Sequence, residues 1–273
     1  MKGRAVRLAN RERLEHLARF QALLAENPTL YLPGYDAVFE LPAGSRIFFR
    51  IARDLDYEPR VRAMIGEHLD TTGDFLDIGA NVGLHAVFAA KRYPHATGPR
   101  VFAVEPNPVA NSMLRRNLAR NAVEGTVQVL DLAVSDRRGH ALLRFAEEEP
   151  EFSTLESHLH RAAKHPDAER MVPLITLDAL VEEHGIKPSF IKIDVEGHES
   201  SVIAGALDTL EEYHPALLME LAGSEHNWST DQASEILDHL NQVGYTPRGA
   251  RISELSGRRV STDVLFTPTP SAR

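Results

Sequence analysis

The sequence has no cysteine among its 273 residues. Disulfide bonds, thiolate metal sites and cysteine nucleophiles are therefore excluded. It also lacks any apolar run near the roughly 18 residues that a membrane-spanning helix requires, and its opening residues, Met1 to Arg4, lead into no apolar signal segment. These absences predict a cytoplasmic protein with no membrane partner.

Positive charge is in the minority. Lysine and arginine total 30 against 39 aspartates and glutamates, a formal net charge of −9. Such an acidic balance disfavours broad capture of nucleic acid or of an anionic membrane, so we expect a small or neutral partner and no nucleic acid. The hydrophobic content of 43% over this length supports one large α/β domain with an appendage.

The stretch from Phe75 to Gly83 reads as a buried strand that turns at a glycine and continues as a helix. Gly79 permits a turn close to a ligand, and Gly83 allows the helix to pack tightly on the strand. The spacing is G-x-x-x-G instead of the dinucleotide pattern G-x-G-x-x-G, and Asp77 precedes the first glycine by two residues. Asp77 would repel a pyrophosphate but attract an ammonium beside a sulfonium. These features favour S-adenosylmethionine as the cofactor.

Strands and helices alternate through the rest of the chain, which is typical of a parallel sheet with helices on both faces. We predict an α/β, Rossmann-like domain over residues 71–268. Within it, one strand is predicted from 127 through 135 and one helix over 199–212. Residues 136–173 are irregular, acidic and histidine-bearing, with one extra strand predicted over 141–145, and they are predicted to be an insert on the substrate side. Residues 269–273 are predicted to be a disordered tail.

Residues 1–70 are predicted to form an N-terminal helical and hairpin extension. Leucines at helical spacing predict an amphipathic helix over residues 7–26, and residues 30–52 read as short strands of a hairpin, including one at 47–49. The helix has two interpretations: a packing element, against the domain or against a second subunit in a homo-oligomer, or a lid over the substrate.

Acidic side chains close the successive predicted strands. In a parallel sheet these strand ends meet at one edge, where ligands bind. Glu105 can accept hydrogen bonds from both ribose hydroxyls, a placement that would serve NAD equally. Asp131 can accept from the adenine amino group, while Ala133 leaves room for the ring. The acids at strand ends are Asp77, Glu105, Asp131, Asp194, Glu196 and Glu220.

The block from Asp194 to Glu199 gathers titratable groups. Asp194 and Glu196 alternate on one face if the strand continues, and His198 begins the next helix. Methyl transfer to an alcohol needs the proton removed or the oxygen polarised, which a carboxylate or histidine can do. Alternatively, Asp194 with Glu196 or Glu220 would hold Mg²⁺, or proximity alone would suffice. The predicted catalytic residues are Asp194, Glu196, His198 and Glu220, without a metal as the first expectation.

Four segments together resemble the FkbM-type family of S-adenosylmethionine-dependent methyltransferases. They are 77–83 (DIGANVG), 104–107 (VEPN), 132–135 (LAVS) and, most specifically, 191–199 (IKIDVEGHE). The resemblance covers about residues 72–222. It implies the seven-stranded class I methyltransferase sheet with its last strand antiparallel, and methyl transfer to a hydroxyl of a sugar, glycan or natural product. The sequence departs from the family by carrying His85, where a less polar residue is expected, and histidines at 158–165.

With this resemblance, the sequence predicts an S-adenosylmethionine-dependent O-methyltransferase acting on a small molecule, sugar or natural product. The competing readings are an NAD-dependent oxidoreductase and a non-catalytic cofactor-binding partner protein. The predicted cofactor-binding residues are Asp77, Gly79, Ala80, Asn81, Gly83, Glu105, Asn107, Asp131 and Ala133.

Overall fold

A computed structural model describes residues 29–42, 45–54, 56–146, 153–155, 168–221, 230–248 and 262–269. The amphipathic helix predicted over residues 7–26 and the tail predicted at 269–273, apart from residue 269, lie outside these ranges, as do the histidines of 158–165. No helix within the described ranges is long and apolar enough to cross a membrane.

The strands follow the chain in the order β1 Thr29–Leu32, β2 Ala37–Glu40, β3 Asp74–Ile78, β4 Val101–Val104, β5 Val127–Leu130, β6 Ala133–Val134, β7 Gly139–Phe145, β8 Ser153–Thr154, β9 Ala168–Ile175, β10 Pro188–Ile193, β11 Ala216–Leu221, β12 Tyr245–Pro247 and β13 Thr262–Pro268. The helices are α1 Arg46–Asp54, α2 Pro59–His68, α3 Leu84–Ala90, α4 Pro108–Arg120, α5 Leu177–His184, α6 Glu199–Ala204, α7 Leu207–Tyr213 and α8 Thr230–Gln242.

The central sheet has seven strands in the order β12-β13-β11-β10-β3-β4-β5. β3, β4, β5, β10 and β11 pair in parallel, and β13 runs antiparallel to both of its neighbours. The predicted seven-stranded, mostly parallel sheet with an antiparallel last strand is therefore confirmed. The chain reverses its direction across the sheet between β3 and β10, so a crevice opens at their carboxyl ends.

Helices cover both faces of this sheet. Side chains alternate along the buried strands, so Phe75 and Phe190 pack on one face, with α2, α3 and the β1–β2 hairpin, and Leu76 and Ile191 pack on the other, with α5 to α8. The two apolar layers leave polar side chains only where the strands end. The described part of the N-terminal extension, from residue 29 onwards, thus lies on the Phe75 face.

The segment predicted as a strand at residues 47–49 is helix α1, so that prediction is wrong. Ser45 begins the helix, because its side-chain oxygen accepts a hydrogen bond from the Phe48 amide at 3.1 Å. Ile47, Phe48 and Ile51 are buried, a spacing that places them on one helical face. These residue types favour strands, but the Ser45 cap and the burial of one helical face outweigh that preference here.

The 136–173 region contains regular structure where the sequence predicted an irregular insert with one extra strand. Its described part forms a four-stranded sheet in the order β6-β9-β7-β8, with β9 unforeseen. The strand predicted from 127 through 135 is split between the two sheets as β5 and β6. The helix predicted over 199–212 is likewise two helices, broken at Gly205, where a β-carbon would collide with the Ser135 carbonyl oxygen.

Candidate active site

A cleft opens at the carboxyl ends of β3, β4 and β10, with β6, β7 and β8 on its opposite wall. Its walls combine apolar side chains with a few convergent polar groups. The lining residues are Ile78, Gly79, Asn81, Val104, Glu105, Pro106, Ala133, Val134, Leu143, Ser153, Leu155, Asp194, Val195, Glu196 and His198.

The glycine turn forms the floor of the cleft. Gly79 has φ +81°, and a β-carbon there would collide with the Asp194 carbonyl oxygen. The amides of Gly79 and Ala80 both donate to the Val104 carbonyl at 3.0 Å, which ties the turn to β4. Only glycine meets both requirements, so Gly79 keeps β3 and β10 in close contact at the point where they end.

Glu105 is a buried carboxylate held by backbone amides. Asn81 N donates to its Oε2 at 2.7 Å and Asn107 N donates to its Oε1 at 2.8 Å. Burial raises the pKa of Glu105 to about 7, although both amide bonds oppose that shift. Glu105 is therefore fixed in orientation at the wall of the cleft and titrates near neutral pH.

Lys192 lies beneath the floor, nearly inaccessible, between two aspartates. Its Nζ is 3.5 Å from Asp77 Oδ1 and 3.4 Å from Asp194 Oδ2. Burial alone would lower the pKa of Lys192, but Asp194, Asp77 and Glu58 outweigh burial and raise it. Lys192 is thus a permanent buried cation, and it stabilises the carboxylates around it.

Asp77 is fully buried, and neither of its carboxylate oxygens has a hydrogen-bond partner among the described residues. Burial raises the pKa of Asp77, with Lys192 and His85 acting in the opposite direction. A buried carboxylate without hydrogen bonds is costly, which is a reason to look for a ligand that supplies donors. The amide oxygen Oδ1 of Asn81, in the same turn, is also buried and unsatisfied.

The N-terminal extension contributes Glu58 to this region. Its Oε2 lies 3.0 Å from His85 Nε2, and its Oε1 accepts from Arg50 Nη1 at 2.7 Å. Burial would raise the pKa of Glu58, but the hydrogen bond and charge of His85, with Arg50 and Lys192, lower it to about 2. His85, at which the sequence departs from the family pattern, therefore has Glu58 as its partner. This contact links residue 58 of the extension to α3.

Three non-glycine residues at the site have left-handed backbone, namely Glu58 at φ 40°, Asn81 at φ 50° and Glu196 at φ 49°. Such conformations are costly for residues with a β-carbon and concentrate at functional sites.

His198 lies at the start of α6 and lines the cleft. Its Nε2 is 2.9 Å from Ser135 Oγ, and that hydroxyl donates to Asp136 Oδ1 at 3.1 Å. Because a hydroxyl has one proton, Ser135 accepts from His198 Nε2–H when it donates to Asp136. This arrangement orients the imidazole and favours one tautomer.

The structure brings Gly79, Asn81, Glu105, Ala133, Asp194, Glu196 and His198 together in the cleft. It does not bring Asp131 there, because both carboxylate oxygens bind Arg170 on an exposed face. Asn107 is buried and caps α4, accepting from Val109 N at 2.9 Å and donating to Ser153 Oγ at 2.8 Å. Ala80 is buried within the turn, and Gly83 packs against Leu114 so closely that a β-carbon would collide with it.

Glu220 lies beyond the cleft, on β11 opposite Asp263. No group of three or more histidine, aspartate or glutamate side chains in the described ranges is arranged to hold a metal ion. The Mg²⁺ site considered for Asp194, Glu196 and Glu220 therefore has no support in this geometry.

Sequence reasoning did not single out Glu58, Lys192 or Asp263. Lys192 was recoverable, because it alternates with Asp194 along β10 and so shares its face. Glu58 and Asp263 are 136 residues before and 69 residues after Asp194, and no local pattern links them.

The strand order, the antiparallel β13 and the glycine turn at the sheet crevice define a class I methyltransferase fold. The chain belongs to the methyltransferase FkbM domain family, whose model matches residues 77–247. The protein is therefore a methyltransferase.

Two relatives and one solved structure illustrate the family. The hexuronic acid methyltransferase AglP of Haloferax volcanii is 30% identical over 203 residues, which cover 74% of this chain and 77% of AglP. The 31-O-demethyl-FK506 methyltransferase FkbM of Streptomyces tacrolimicus is 30% identical and covers 66% and 76%. The crystal structure of methyltransferase FkbM from Methylobacillus flagellatus KT aligns with a TM-score of 0.45 at 17% identity, over 71% of this chain and 43% of that one.

Proposed function

We propose that this protein transfers a methyl group from S-adenosylmethionine to a hydroxyl group of a sugar, small molecule or natural product. The observation that carries this proposal is the pair of carboxylates around the glycine turn. Asp77 is buried with both oxygens unsatisfied, and Glu105 is fixed by two amides 28 residues later in the chain.

The residues present fit S-adenosylmethionine. Asp77 and the Gly79 turn would hold its methionine end, where an ammonium can satisfy buried acceptor atoms. Glu105 would hold the ribose hydroxyls. The apolar wall of Val134, Leu143 and Leu155 suits an adenine ring. When bound, S-adenosylmethionine supplies an electrophilic methyl group on a cationic sulfonium.

The charge of the floor separates this cofactor from NAD. Asp77 lies directly before the glycine turn, where a dinucleotide would place its pyrophosphate. A second negative charge there is disfavoured in a buried setting, whereas a cation is favoured. The same argument weighs against the oxidoreductase alternative.

Hydroxyl acceptors are supported by the chemistry at the end of β10. Asp194, Glu196 and His198 line the cleft, and each of these types can accept a hydroxyl proton or orient the hydroxyl oxygen. The names of the two relatives concern a hexuronic acid and a 31-O-demethyl compound. A cofactor-binding protein without turnover would have no use for these three groups in one cleft.

Calorimetric titration with S-adenosylhomocysteine, repeated with NAD, tests the cofactor. We expect wild-type protein to bind S-adenosylhomocysteine and to give no response to NAD. A Glu105→Ala variant should bind at least tenfold more weakly, because the ribose contacts are lost. Binding of NAD in preference to S-adenosylhomocysteine would contradict the proposal.

Methyl transfer itself is tested with radiolabelled S-adenosylmethionine and a panel of hydroxylated acceptors that includes glucuronic acid. We expect an Asp194→Asn, Glu196→Gln double variant to retain S-adenosylhomocysteine binding and lose turnover. Unchanged turnover in this variant would exclude these two residues from the reaction.

A further inference from the structure

Four backbone positions form a row across the carboxyl edge of the sheet. Ile193 pairs with Ile78 on β3 and with Met219 on β11, so Asp194 follows beside Gly79 and Glu220. Glu220 in turn pairs with Asp263 on the antiparallel β13. The antiparallel direction matters, because it places the beginning of β13 level with the ends of its neighbours.

Side chains in such a row point to the same face of the sheet. Asp194 shares its face with Lys192, and Asp263 shares its face with Leu265, which packs in the same apolar layer as Phe190. This is the face that the N-terminal extension covers. Charged groups from several elements surround Asp263 there. They are Glu58 before α2, His85 on α3, Lys192 on β10, Asp194 directly after β10, and Glu220 on β11.

Asp263 differs from Asp194 and Glu58 in lacking a direct hydrogen-bond or ion-pair partner among the described residues. Asp194 accepts from Lys192, and Glu58 accepts from Arg50 and contacts His85. In the described ranges no hydrogen bond or ion pair reaches the half-buried Asp263 carboxylate. Burial raises the pKa of Asp263 to about 6; the charges of Glu58 and Asp194 add to this effect, and those of Lys192 and His85 oppose it.

A half-buried carboxylate without a direct partner and with a raised pKa lowers stability when it is ionised, and such groups mark functional sites. The distance between Asp263 and Asp194 indicates which role Asp263 can have. Asp263 is two strands away from Asp194, about 10 Å between their backbones at the usual strand spacing. That separation is too long for Asp263 to act on the same hydroxyl as Asp194, but it suits a second hydroxyl of one ligand.

We propose that Asp263 is a specificity-determining residue that accepts hydrogen bonds from a second hydroxyl of the methyl acceptor, and hence that the acceptor is a polyhydroxylated, sugar-like ring. This inference rests on the proposed function. The acceptor lies across β10, β11 and β13, with the hydroxyl to be methylated beside Asp194 and a distal hydroxyl at Asp263. An acceptor with a single hydroxyl leaves Asp263 unsatisfied.

The binding test follows the side-chain carboxyl carbon of Asp263 by NMR in protein labelled with ¹³C-aspartate and saturated with S-adenosylhomocysteine. The signal is assigned by its loss in Asp263→Asn. We expect a titration midpoint near pH 6 and a saturable shift on addition of glucuronic acid or glucose, with no shift on addition of cyclohexanol. A midpoint at the ordinary value of an aspartate, or equal responses to sugar and cyclohexanol, would overturn the inference.

The kinetic test compares Asp263→Asn with Asp238→Asn, an exposed aspartate on α8. Losing a charge-assisted hydrogen bond should raise the acceptor KM about 10- to 100-fold, with kcat within about threefold and S-adenosylhomocysteine affinity unchanged. The Asp238 variant should match wild type. An unchanged KM in Asp263→Asn, with S-adenosylhomocysteine still bound, would overturn this inference alone, whereas failure of wild type to bind S-adenosylhomocysteine would remove the proposed function.

The raised pKa of Asp263 also predicts that the Asp263→Asn variant folds. Since ionised Asp263 opposes folding above its pKa, the neutral asparagine of the Asp263→Asn variant should leave the protein at least as stable as wild type at pH 8, measured by urea unfolding. A marked loss of stability would mean that Asp263 has a structural role.

Discussion

Two buried glutamates at the same edge of the sheet titrate in opposite directions. Glu105, on the cofactor wall of the cleft, is bound by the amides of Asn81 and Asn107, and its pKa is about 7. Glu58, on the extension side, is bound by His85 and Arg50, and its pKa is about 2. Burial acts on both alike, so the partners make the difference.

The two neutral amide donors do not offset the desolvation of the Glu105 carboxylate, so its pKa is raised. The charged partners of Glu58 more than offset its desolvation, so its pKa is lowered. The cofactor wall therefore holds its carboxylate with dipoles, and the opposite face holds its carboxylates with ions. We call the ion-paired group on that face, Glu58, Asp77, Lys192 and Asp194, the charged cluster. Such a division suits a site where neutral ribose hydroxyls meet one wall and a sulfonium lies close to the other.

Removing the cation of the charged cluster should have the largest effect. Lys192→Met leaves Asp77 and Asp194 buried without their positive partner, so we expect a loss of about 3–5 kcal/mol in the free energy of unfolding at pH 7. Urea denaturation measures it. Lys187→Met, at an exposed site two positions before Ser189, should stay within about 0.5 kcal/mol of wild type, and equal effects of the two changes would deny Lys192 its role.

Glu58→Gln tests the extension side. The pKa of Glu58 falls from 4.5 to about 2 on folding, so its ionisation contributes stability that is fully present above about pH 4.5 and is lost as the pH falls towards 2. We expect Glu58→Gln to lose about 3 kcal/mol at pH 7, with a smaller loss at pH 3. Urea unfolding at both pH values measures the gap, with exposed Glu67→Gln from α2 as control. A gap independent of pH would contradict the assigned cause.

Glu105→Gln tests the other member of the comparison, the carboxylate whose pKa is raised. The pKa of Glu105 rises from 4.5 to about 7 on folding, so its ionisation removes stability as the pH rises from 4.5 to 7, and the variant should be no less stable than wild type at pH 8. Its affinity for S-adenosylhomocysteine should nonetheless fall at least tenfold.

The pH dependence of that affinity is the second readout for Glu105. Wild-type affinity should decrease as the pH falls below about 7, because the protonated carboxyl is a poorer acceptor, and the variant should show a flat profile. Calorimetry between pH 6 and 8.5 measures both, and Glu124→Gln, exposed between α4 and β5, is the control. A pH dependence that persists in Glu105→Gln would assign it to another group.

Ser135→Ala should have the smallest effect. It removes the hydroxyl that orients His198, worth about 1 kcal/mol, or roughly fivefold in kcat if His198 takes part in the reaction. S-adenosylhomocysteine affinity should stay unchanged, and Ser112→Ala, at an exposed position of α4, should match wild type in both measurements. Loss of cofactor binding in Ser135→Ala would instead make this serine a structural support of the cleft.

The local pattern of the chain was sufficient for the glycine turn, for Glu105 and for the fold class. Strand 75–78 and Gly79 adjoin in sequence, and alternation of strands and helices follows from hydrophobic periodicity. Helix capping and strand pairing were harder to predict from the local sequence pattern. Helix α1 depends on Ser45 as well as on buried packing, and β9 depends on its pairing with β7.

Only the tertiary structure decided how the acids are used. Asp131 and Asp194 look equivalent in sequence, yet the first binds exposed Arg170 and the second binds buried Lys192. Glu58 and Asp263 join the site because the extension packs on the sheet and because β13 runs antiparallel. The sequence alone determined the glycine turn and the position of Asp77 before it, since these depend on neighbouring residues. The charge balance of the cluster depended on the fold, because electrostatic energy is set by distance and burial, which residues distant in the chain acquire only when they pack together.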